Sequence, residues 1–318
     1  MGQLSRGLRR LRRAAIGLAI VAVSITGCSA GYNALSEPAS APPRELSEGP
    51  FVEAAGVLTR YQRWGATGSP IVLVGGFLEP TWVWDRVAPL LAQKHRVYAL
   101  DLAGFGYSER AGRFTLEAWS DQVRAFLRAL SIDRPTLIGH SLGAAVVAEI
   151  ARADPTLVRG IVLADGDARR GGAGLPGWAR DLLVDPFRTS LIRLALGSDL
   201  VVEQVLDEVY GPHRPRIDAR ELDRWRRPFR VEGTERALGV MASHAIPGLE
   251  LAGLRAITTP SALIWGERDS SVSLAAGRRT AAVLAAPITV IPGAGHLSML
   301  TDPLPFAAAV TRFESTLR

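Results

Sequence analysis

Six short runs of β-branched and aliphatic residues recur along the chain, and each is followed by a turn and then by a longer segment. The runs are IVLVG (71–75), VYALD (97–101), TLIGH (136–140), IVLAD (161–165), SALIW (261–265) and ITVIP (288–292). A strand that is apolar at every position has both faces buried, as in a parallel sheet covered by helices on both sides. The sequence therefore predicts an α/β fold with a mostly parallel central sheet flanked by helices.

The segments between these runs complete the outline of the fold. Helical patterns are predicted at 115–131, 142–153, 273–285 and 302–317, and FVEAAGVLTRYQRWG (51–65) is predicted to form an antiparallel edge hairpin. Between Asp165 and Ser261 the chain shows helical patterns broken by glycine and proline, without a clear buried strand. We interpret residues 166–260 as a helical cap inserted between the sixth and seventh strands, because inserted cover elements commonly lie over active sites. The core is then formed by residues 51–165 and 261–318.

The net charge of +6 is concentrated at the amino terminus. Five of the 37 basic residues lie within residues 1–27, which contain no acidic residue, so the other 32 nearly balance the 31 acidic residues of the chain. Nucleic-acid binding requires a basic surface on the folded part. We therefore expect no nucleic-acid partner.

The amino terminus has the pattern of an export signal. Arginines up to Arg13 precede the apolar run AAIGLAIVAVSITG, which has the length of a signal-peptide core and is shorter than the roughly 20 residues of a membrane span. The last three residues of this run and the next residue form ITGC, which ends in Cys28 and resembles the bacterial lipobox, in which the cysteine is acylated. Residues 1–27 are thus predicted to be a signal peptide and residues 28–50, rich in Ser, Pro and Ala, a flexible tether.

Cys28 is the only cysteine in 318 residues, which suits a lipid-anchor thiol because such a thiol needs no disulfide partner. We expect an exported protein held at the outer face of the bacterial cell membrane by a lipid on Cys28. The alternatives are secretion after ordinary cleavage behind Ala30, or an uncleaved anchor. A twin-arginine export signal fits the flanking residues poorly.

The stretch TLIGHSLGAA carries the strongest chemical signal. It places Gly139-His140-Ser141-Leu142-Gly143 between a predicted buried strand and a predicted helix. This is G-x-S-x-G in the strand-turn-helix context that projects a nucleophilic serine, with glycines flanking a very tight turn. Ser141 is therefore the candidate nucleophile.

From about residue 57 onward the chain resembles the α/β-hydrolase fold superfamily. The resemblance rests on five segments in order, namely LVGGFLEPTWVWDRVAPLLA, LDLAGFGYSER, GHSLGA, IWGERDSSV and PGAGHLSML. It implies a Ser-Asp-His catalytic order along the chain. One departure is Gly75-Gly76, where many relatives have His-Gly; because the oxyanion donor is a backbone N–H further along, we expect this change to affect loop packing more than chemistry.

The resemblance implies His296 as the general base and Asp269 as its carboxylate partner. The other histidines either precede Ser141 or, as for His213 and His244, lie in the predicted cap, where we expect solvated or packing roles. Some relatives carry the acid at the end of the sixth strand, so Asp165 is an alternative acid. GERDSSV matches the acid loop of the family residue by residue, which favours Asp269.

The oxyanion hole implied by the resemblance consists of the backbone N–H groups of Phe77 and Leu142. Phe77, Trp82 and Trp84 are candidates for an apolar acyl pocket. For the two tryptophans, packing beneath the cap is an equally good interpretation.

Together these features predict a serine hydrolase that cleaves carboxylic esters through an acyl-enzyme on Ser141, with a small, apolar, ester-like substrate. A serine nucleophile argues against the relatives of this fold that use aspartate. The alternatives are another cofactor-free activity of the fold, such as perhydrolysis or C–C bond hydrolysis, and a non-catalytic, lipid-anchored binding protein. The sequence shows no metal-ligand cluster, phosphate loop or dinucleotide fingerprint, so no cofactor or metal is expected.

Overall fold

The computed structural model describes residues 24–170, 184–242 and 247–317. Residues 1–23 of the predicted signal peptide, residues 171–183 of the predicted cap, and His244 lie outside this described part. Among the described residues, no helix is both long and apolar enough to cross a membrane.

Eight strands form one sheet, and the six predicted buried runs coincide with six of them to within a residue or so at each end. In chain order the strands are β1 (Phe51–Ala54), β2 (Val57–Trp64), β3 (Pro70–Val74), β4 (Arg96–Leu100), β5 (Thr136–His140), β6 (Gly160–Ala164), β7 (Ser261–Gly266) and β8 (Ile288–Ile291).

The strands lie in the order β1-β2-β4-β3-β5-β6-β7-β8. The β1–β2 and β2–β4 pairs are antiparallel, and every pair from β4 to β8 is parallel. Strands β3, β5 and β6 are buried at every residue, as their apolar runs predict. In a parallel sheet the carboxyl ends of all strands meet at one edge, so the loops after β3, β5, β7 and β8 converge there.

Thirteen helices surround this sheet within the described part of the chain. In order they are α1 (24–35), α2 (Pro43–Leu46), α3 (Ala88–Leu91), α4 (Leu116–Ala129), α5 (Leu142–Ala153), α6 (Phe187–Gly197), α7 (Asp199–Tyr210), α8 (Ala219–Arg226), α9 (Thr234–Ala242), α10 (Leu251–Arg255), α11 (Leu274–Leu284), α12 (Ser298–Thr301) and α13 (Pro303–Glu314).

Two hydrophobic cores lie on opposite faces of the sheet, because successive residues of a strand point to opposite sides. In β3, Val72 and Val74 belong to the core that contains α4 and α5, whereas Ile71 and Leu73 belong to the core that contains α3 and α13. Fully buried tryptophans anchor the cores, Trp119 in the first and Trp84 in the second. The sheet is thus covered on both faces.

Between β6 and β7 the described residues form α6 to α10 and two short 3₁₀ turns, and contain no strand. This insertion packs on the core through α7, whose Leu206 and Tyr210 side chains are buried, and through Trp225, whose ring centroid lies 4.6 Å from that of Trp82. The predicted α/β fold with a helical cap between the sixth and seventh strands is confirmed.

Part of the segment 28–50, predicted to be a flexible tether, has regular secondary structure. Residues 24–35 are helical, and Asn33 in this helix donates a hydrogen bond to a backbone carbonyl of the cap at 2.9 Å. Ser190 of α6 donates to Asn33 Oδ1 at 2.8 Å. A Ser-, Pro- and Ala-rich composition indicates weak local structure, but it does not show the hydrogen-bond partners that the cap supplies. Cys28 lies exposed on this helix.

Candidate active site

Ser141 occupies a strained turn between β5 and α5. Its backbone has φ 49° and ψ −115°, which side-chain-bearing residues rarely adopt and which is characteristic of a nucleophile elbow. A Cβ on Gly139 would lie 2.2 Å from the carbonyl oxygen of Gly143, and a Cβ on Gly143 would lie 2.3 Å from a carbonyl oxygen of β3. Both positions therefore require glycine.

His296 and Asp269 lie on the loops that follow β8 and β7, and they form a buried pair. His296 Nδ1 lies 2.9 Å from Asp269 Oδ2. The other carboxylate oxygen, Oδ1, accepts hydrogen bonds from the backbone N–H groups of Ser271 at 2.8 Å and Val272 at 2.9 Å, which fix the carboxylate plane. A carboxylate oxygen accepts this hydrogen bond, so Nδ1 is the donor, and the Nδ1–H tautomer of the imidazole presents Nε2 as an acceptor.

Asp165, the alternative acid, accepts hydrogen bonds from groups other than His296. Its Oδ1 accepts from the backbone N–H of Gly266 at 2.6 Å, and its Oδ2 accepts from the hydroxyl of Ser298. Burial raises the pKa of Asp165 to about 7, and the negative charge of Asp269 acts in the same direction. Asp269 is thus the carboxylate that contacts His296. Asp165 links the end of β6 to β7 and to the start of α12.

The backbone N–H groups of Phe77 and Leu142 have no hydrogen-bond acceptor within the described part of the chain. Leu142 is the first residue of α5, where amide groups lack an intrahelical partner. The neighbouring Gly76 N–H is already occupied, because it donates to Glu79 Oε2 at 2.6 Å. A Cβ on Gly76 would lie 2.8 Å from Ser141 Cβ, so this loop is in contact with Ser141. Two free donors therefore flank Ser141.

The aromatic residues proposed for an acyl pocket have different surroundings. Trp82 stacks edge-on against Trp225 of the cap, and Trp84 is fully buried against Phe306, so both fit the packing interpretation. Phe77, on the loop after β3, is 50% exposed. Of the three, Phe77 is the one placed to meet an apolar substrate.

The motif LDLAGFGYSER has a structural role in positioning this edge of the sheet. Asp101 is fully buried at the end of β4 and accepts hydrogen bonds from the backbone N–H groups of Thr81 and Tyr107. Burial raises the pKa of Asp101 to about 6. A Cβ on Gly106 would lie 2.1 Å from the Asp101 carboxyl carbon, which explains glycine at that position. The motif thereby joins the loop after β3 to the loop after β4.

Glu79 and His140 were not singled out by sequence reasoning, yet both are buried beside the candidate triad. His140 Nδ1 lies 2.8 Å from Glu79 Oε1, and His140 Nε2 lies 2.8 Å from the backbone carbonyl oxygen of His296. One feature of the sequence could have indicated Glu79. Glu79 is the only acidic residue in the apolar loop GGFLEPTWVW, where an acid without a charged partner would be costly to bury.

Among the described residues, one group of three side chains has ligand-type atoms close enough to hold a metal ion. In that group, Glu79, His140 and His296 offer atoms within 4.8 Å of one another. All three have protein partners, because Glu79 and His140 bind each other and His296 binds Asp269. We therefore interpret the group as a hydrogen-bonded network. His213 lies exposed in the cap and pairs with Asp302 at 2.9 Å.

Comparison with known proteins shows the family of this chain. The model of the α/β hydrolase fold matches residues 69–303. The chain belongs to the α/β hydrolase fold family. It is 29% identical over 248 residues to the uncharacterized hydrolase YugF of Bacillus subtilis, a match that covers 76% of this chain and 89% of YugF.

Two solved α/β hydrolase structures illustrate the similarity of fold. The meta-cleavage product hydrolase of Pseudomonas fluorescens superposes with a TM-score of 0.69 at 22% identity, covering 84% of this chain and 98% of the other. A bacterial membrane phospholipase A superposes with a TM-score of 0.69 at 23% identity, covering 99% of each chain. With hydrolases among its relatives and its structural neighbours, this α/β hydrolase is an enzyme.

Proposed function

We propose that this α/β hydrolase cleaves carboxylic esters through an acyl-enzyme intermediate on Ser141. The observation that carries the proposal is the buried hydrogen bond between His296 and Asp269, formed at the same sheet edge as a serine in the nucleophile-elbow conformation. Nucleophile, base and orienting carboxylate are the three parts that activation of a serine requires.

In the first half of the reaction, Ser141 Oγ attacks the carbonyl carbon of the ester and its proton passes to Nε2 of His296. Negative charge develops on the carbonyl oxygen, where the free N–H groups of Phe77 and Leu142 stabilise it. Each donor of this kind contributes roughly 3 kcal/mol to the transition state in measured cases. The tetrahedral intermediate then collapses, and the alcohol leaves with the proton from the imidazolium.

In the second half, water attacks the acyl-enzyme while His296 accepts its proton. The acid is released and Ser141 regains its hydrogen. Asp269 keeps the imidazole in the tautomer that exposes Nε2 and stabilises the imidazolium formed in each half. These residues complete the cycle without a cofactor, and the half-exposed Phe77 ring supports an apolar acyl substrate.

C–C bond hydrolysis is a second candidate, favoured by the fold shared with a meta-cleavage product hydrolase. That reaction also begins with attack at a carbonyl carbon, but its leaving group is a carbanion that must be protonated. A panel of p-nitrophenyl esters of graded chain length, measured beside a meta-cleavage dienoate, separates the two. Ester turnover without dienoate turnover supports the proposal.

Labelling with a fluorophosphonate probe tests the nucleophile directly. The wild-type protein should be labelled at Ser141, and Ser141→Ala should be neither labelled nor active while remaining folded, because alanine fits the same turn. Ester hydrolysis by Ser141→Ala close to the wild-type rate would exclude the mechanism. An unreactive serine in folded wild-type protein would instead favour a binding protein.

The cellular location is part of the same proposal. We infer that residues 1–27 direct export and that Cys28 is acylated, so that the enzyme works at the outer face of the bacterial cell membrane. The arginine-rich start, the apolar run and the ITGC sequence support this, as does the exposure of Cys28. Secretion without a lipid is the alternative.

A further inference from the structure

His140 precedes the candidate nucleophile, and its ring is fully buried. Both ring nitrogens face oxygen atoms. Nδ1 lies 2.8 Å from Glu79 Oε1 and 2.9 Å from Oε2, and Nε2 lies 2.8 Å from the carbonyl oxygen of His296. A carbonyl oxygen can only accept a hydrogen bond, so Nε2 carries a proton.

The Glu79 carboxylate accepts a hydrogen bond from a second donor besides His140. The backbone N–H of Gly76 donates to Oε2 at 2.6 Å, and hydrogen bonds to a carboxylate favour its ionised state. An ionised Glu79 only accepts, so His140 Nδ1 carries a proton as well. With both nitrogens protonated, His140 is an imidazolium, and the two residues form a buried ion pair.

This pair connects three separate parts of the candidate site. Glu79 accepts a hydrogen bond from the N–H of Gly76, the residue before the oxyanion donor Phe77. His140 is the residue before Ser141, and its Nε2 holds the backbone of His296. The sequence separations of 61 residues between Glu79 and His140 and of 156 residues between His140 and His296 show that neither contact is local.

We propose that Glu79 and His140 are positioning residues, which as an ion pair hold the base His296 and the oxyanion loop in register with Ser141. The inference rests on the proposed function, because it assigns His296 as the base. Neither residue contacts the reacting atoms directly. Their effect is therefore expected on kcat, which depends on transition-state geometry, and much less on KM.

The positive charge of His140 depends on pH. Burial acts to lower its pKa, but the negative charge of Glu79 and their hydrogen bond outweigh burial and raise the pKa to about 9. The titratable groups that face His140 are Glu79 from the loop after β3, Asp165 from the end of β6 and the ring of His296 from the loop after β8, whose centroid lies 4.7 Å away. Trp84 adds an uncharged ring, with its centroid at 6.4 Å.

Kinetics of Glu79→Gln in the full-length protein test the positioning role. The amide keeps the shape of the side chain but removes its charge, so kcat should fall about 10²-fold, as for other small misplacements of catalytic groups, with little change in KM. Glu314→Gln is the matched control, because Glu314 is also buried beside a histidine, His95, but at the amino end of the strands. It should leave kcat unchanged.

The pH dependence of kcat/KM provides a second test, because a general loss of stability would not shift the pH at which activity declines. Wild-type kcat/KM should decline above about pH 9, where His140 loses its proton. In Glu79→Gln this decline should begin at lower pH, and in Glu314→Gln it should not shift. Unchanged kcat and an unchanged alkaline limb in folded Glu79→Gln would overturn the positioning role.

Nitrogen-15 NMR of the imidazole rings tests the ion pair without any activity measurement. At pH 7 the wild-type protein should show a histidine signal protonated at both nitrogens that is lost in His140→Ala and in His140→Asn. A neutral His140 at pH 7 would overturn the proposal even if Glu79→Gln fails to fold. Failure of fluorophosphonate to label Ser141, with His140 still charged, would reject the proposed function and leave the pair intact.

Discussion

Asp269 Oδ2 accepts a hydrogen bond from His296 Nδ1 at 2.9 Å, and both side chains are buried. This contact joins the loop after β7 to the loop after β8. Asp165, at the end of the adjacent strand β6, instead accepts from Gly266 and Ser298. Two carboxylates therefore lie near the same imidazole, and only one of them orients it.

The first prediction compares these two carboxylates. Asp269→Asn removes the charge that stabilises the imidazolium, so kcat for a p-nitrophenyl ester should fall on the order of 10⁴-fold, as in the best-studied serine triad. Asp165→Asn should cost far less, because its amide can still accept from Gly266 and donate to Ser298. Steady-state kinetics on both folded variants provide the measurement, and the reverse ranking would assign the acid to Asp165.

The second prediction concerns stability and pH. The pKa of Asp165 is about 7 in the folded protein, above the ordinary value of 3.8, because the group is buried. Between these two values the folded state binds more protons than the unfolded state. Through this group, wild-type stability is therefore greatest below pH 4 and declines as the pH rises through 7, by at most about 1.4 kcal/mol per pH unit.

Asp165→Asn lacks this titration, so its free energy of unfolding relative to the wild type should increase from pH 5 to pH 8. Urea denaturation of both proteins at the two pH values measures the difference. A difference in stability that is the same at pH 5 and pH 8 would show that Asp165 is ionised throughout.

The third prediction tests the contact between Gly76, in the loop after β3, and Ser141. A Cβ at Gly76 would lie 2.8 Å from both Ser141 Cβ and Glu79 Oε1, so in Gly76→Ala the loop must shift and displace the Phe77 N–H. We expect kcat to fall about 10²-fold, the usual cost of a displacement near 1 Å.

Gly197→Ala is the matched control for this change. Gly197 ends α6 and has open space where a Cβ would lie, so the variant should keep wild-type kinetics and stability. Equal activity of the Gly76 and Gly197 variants would show that the loop tolerates a side chain, and that Gly75-Gly76 does not position the oxyanion donor.

The fourth prediction concerns the amino terminus. Cells expressing the wild-type gene and given an alkyne fatty acid should yield a labelled, membrane-associated enzyme, and Cys28→Ala should abolish the label because it removes the acylated thiol. A single modified cysteine can carry more than one acyl chain, which stable anchoring requires. Ser29→Ala, next to the same position, serves as a control that should stay labelled. An unlabelled wild-type protein would point to ordinary secretion.

The sequence by itself was sufficient for the strands and the nucleophile turn, because both depend on local patterns. A run such as TLIGH is apolar on both faces and can be stable only inside a covered sheet, and it forms β5 with the predicted bounds. Gly139 and Gly143 mark a turn too tight for a Cβ, which places Ser141 without reference to distant residues. The resemblance to the α/β-hydrolase fold superfamily indicated the acid loop and the histidine loop, and the order of the motifs indicated His296 as the candidate base.

Only the tertiary structure decided which groups meet across the edge of the sheet. Asp165 and Asp269 both follow buried strands, and no local pattern tells which one the histidine reaches. The Glu79–His140 contact and the docking of residues 24–35 on the cap likewise join segments far apart in the chain. Hydrogen bonds and ion pairs of this kind depend on distances of 3 Å or less between atoms that the fold brings together, whereas hydrophobic periodicity is expressed within a few neighbouring residues.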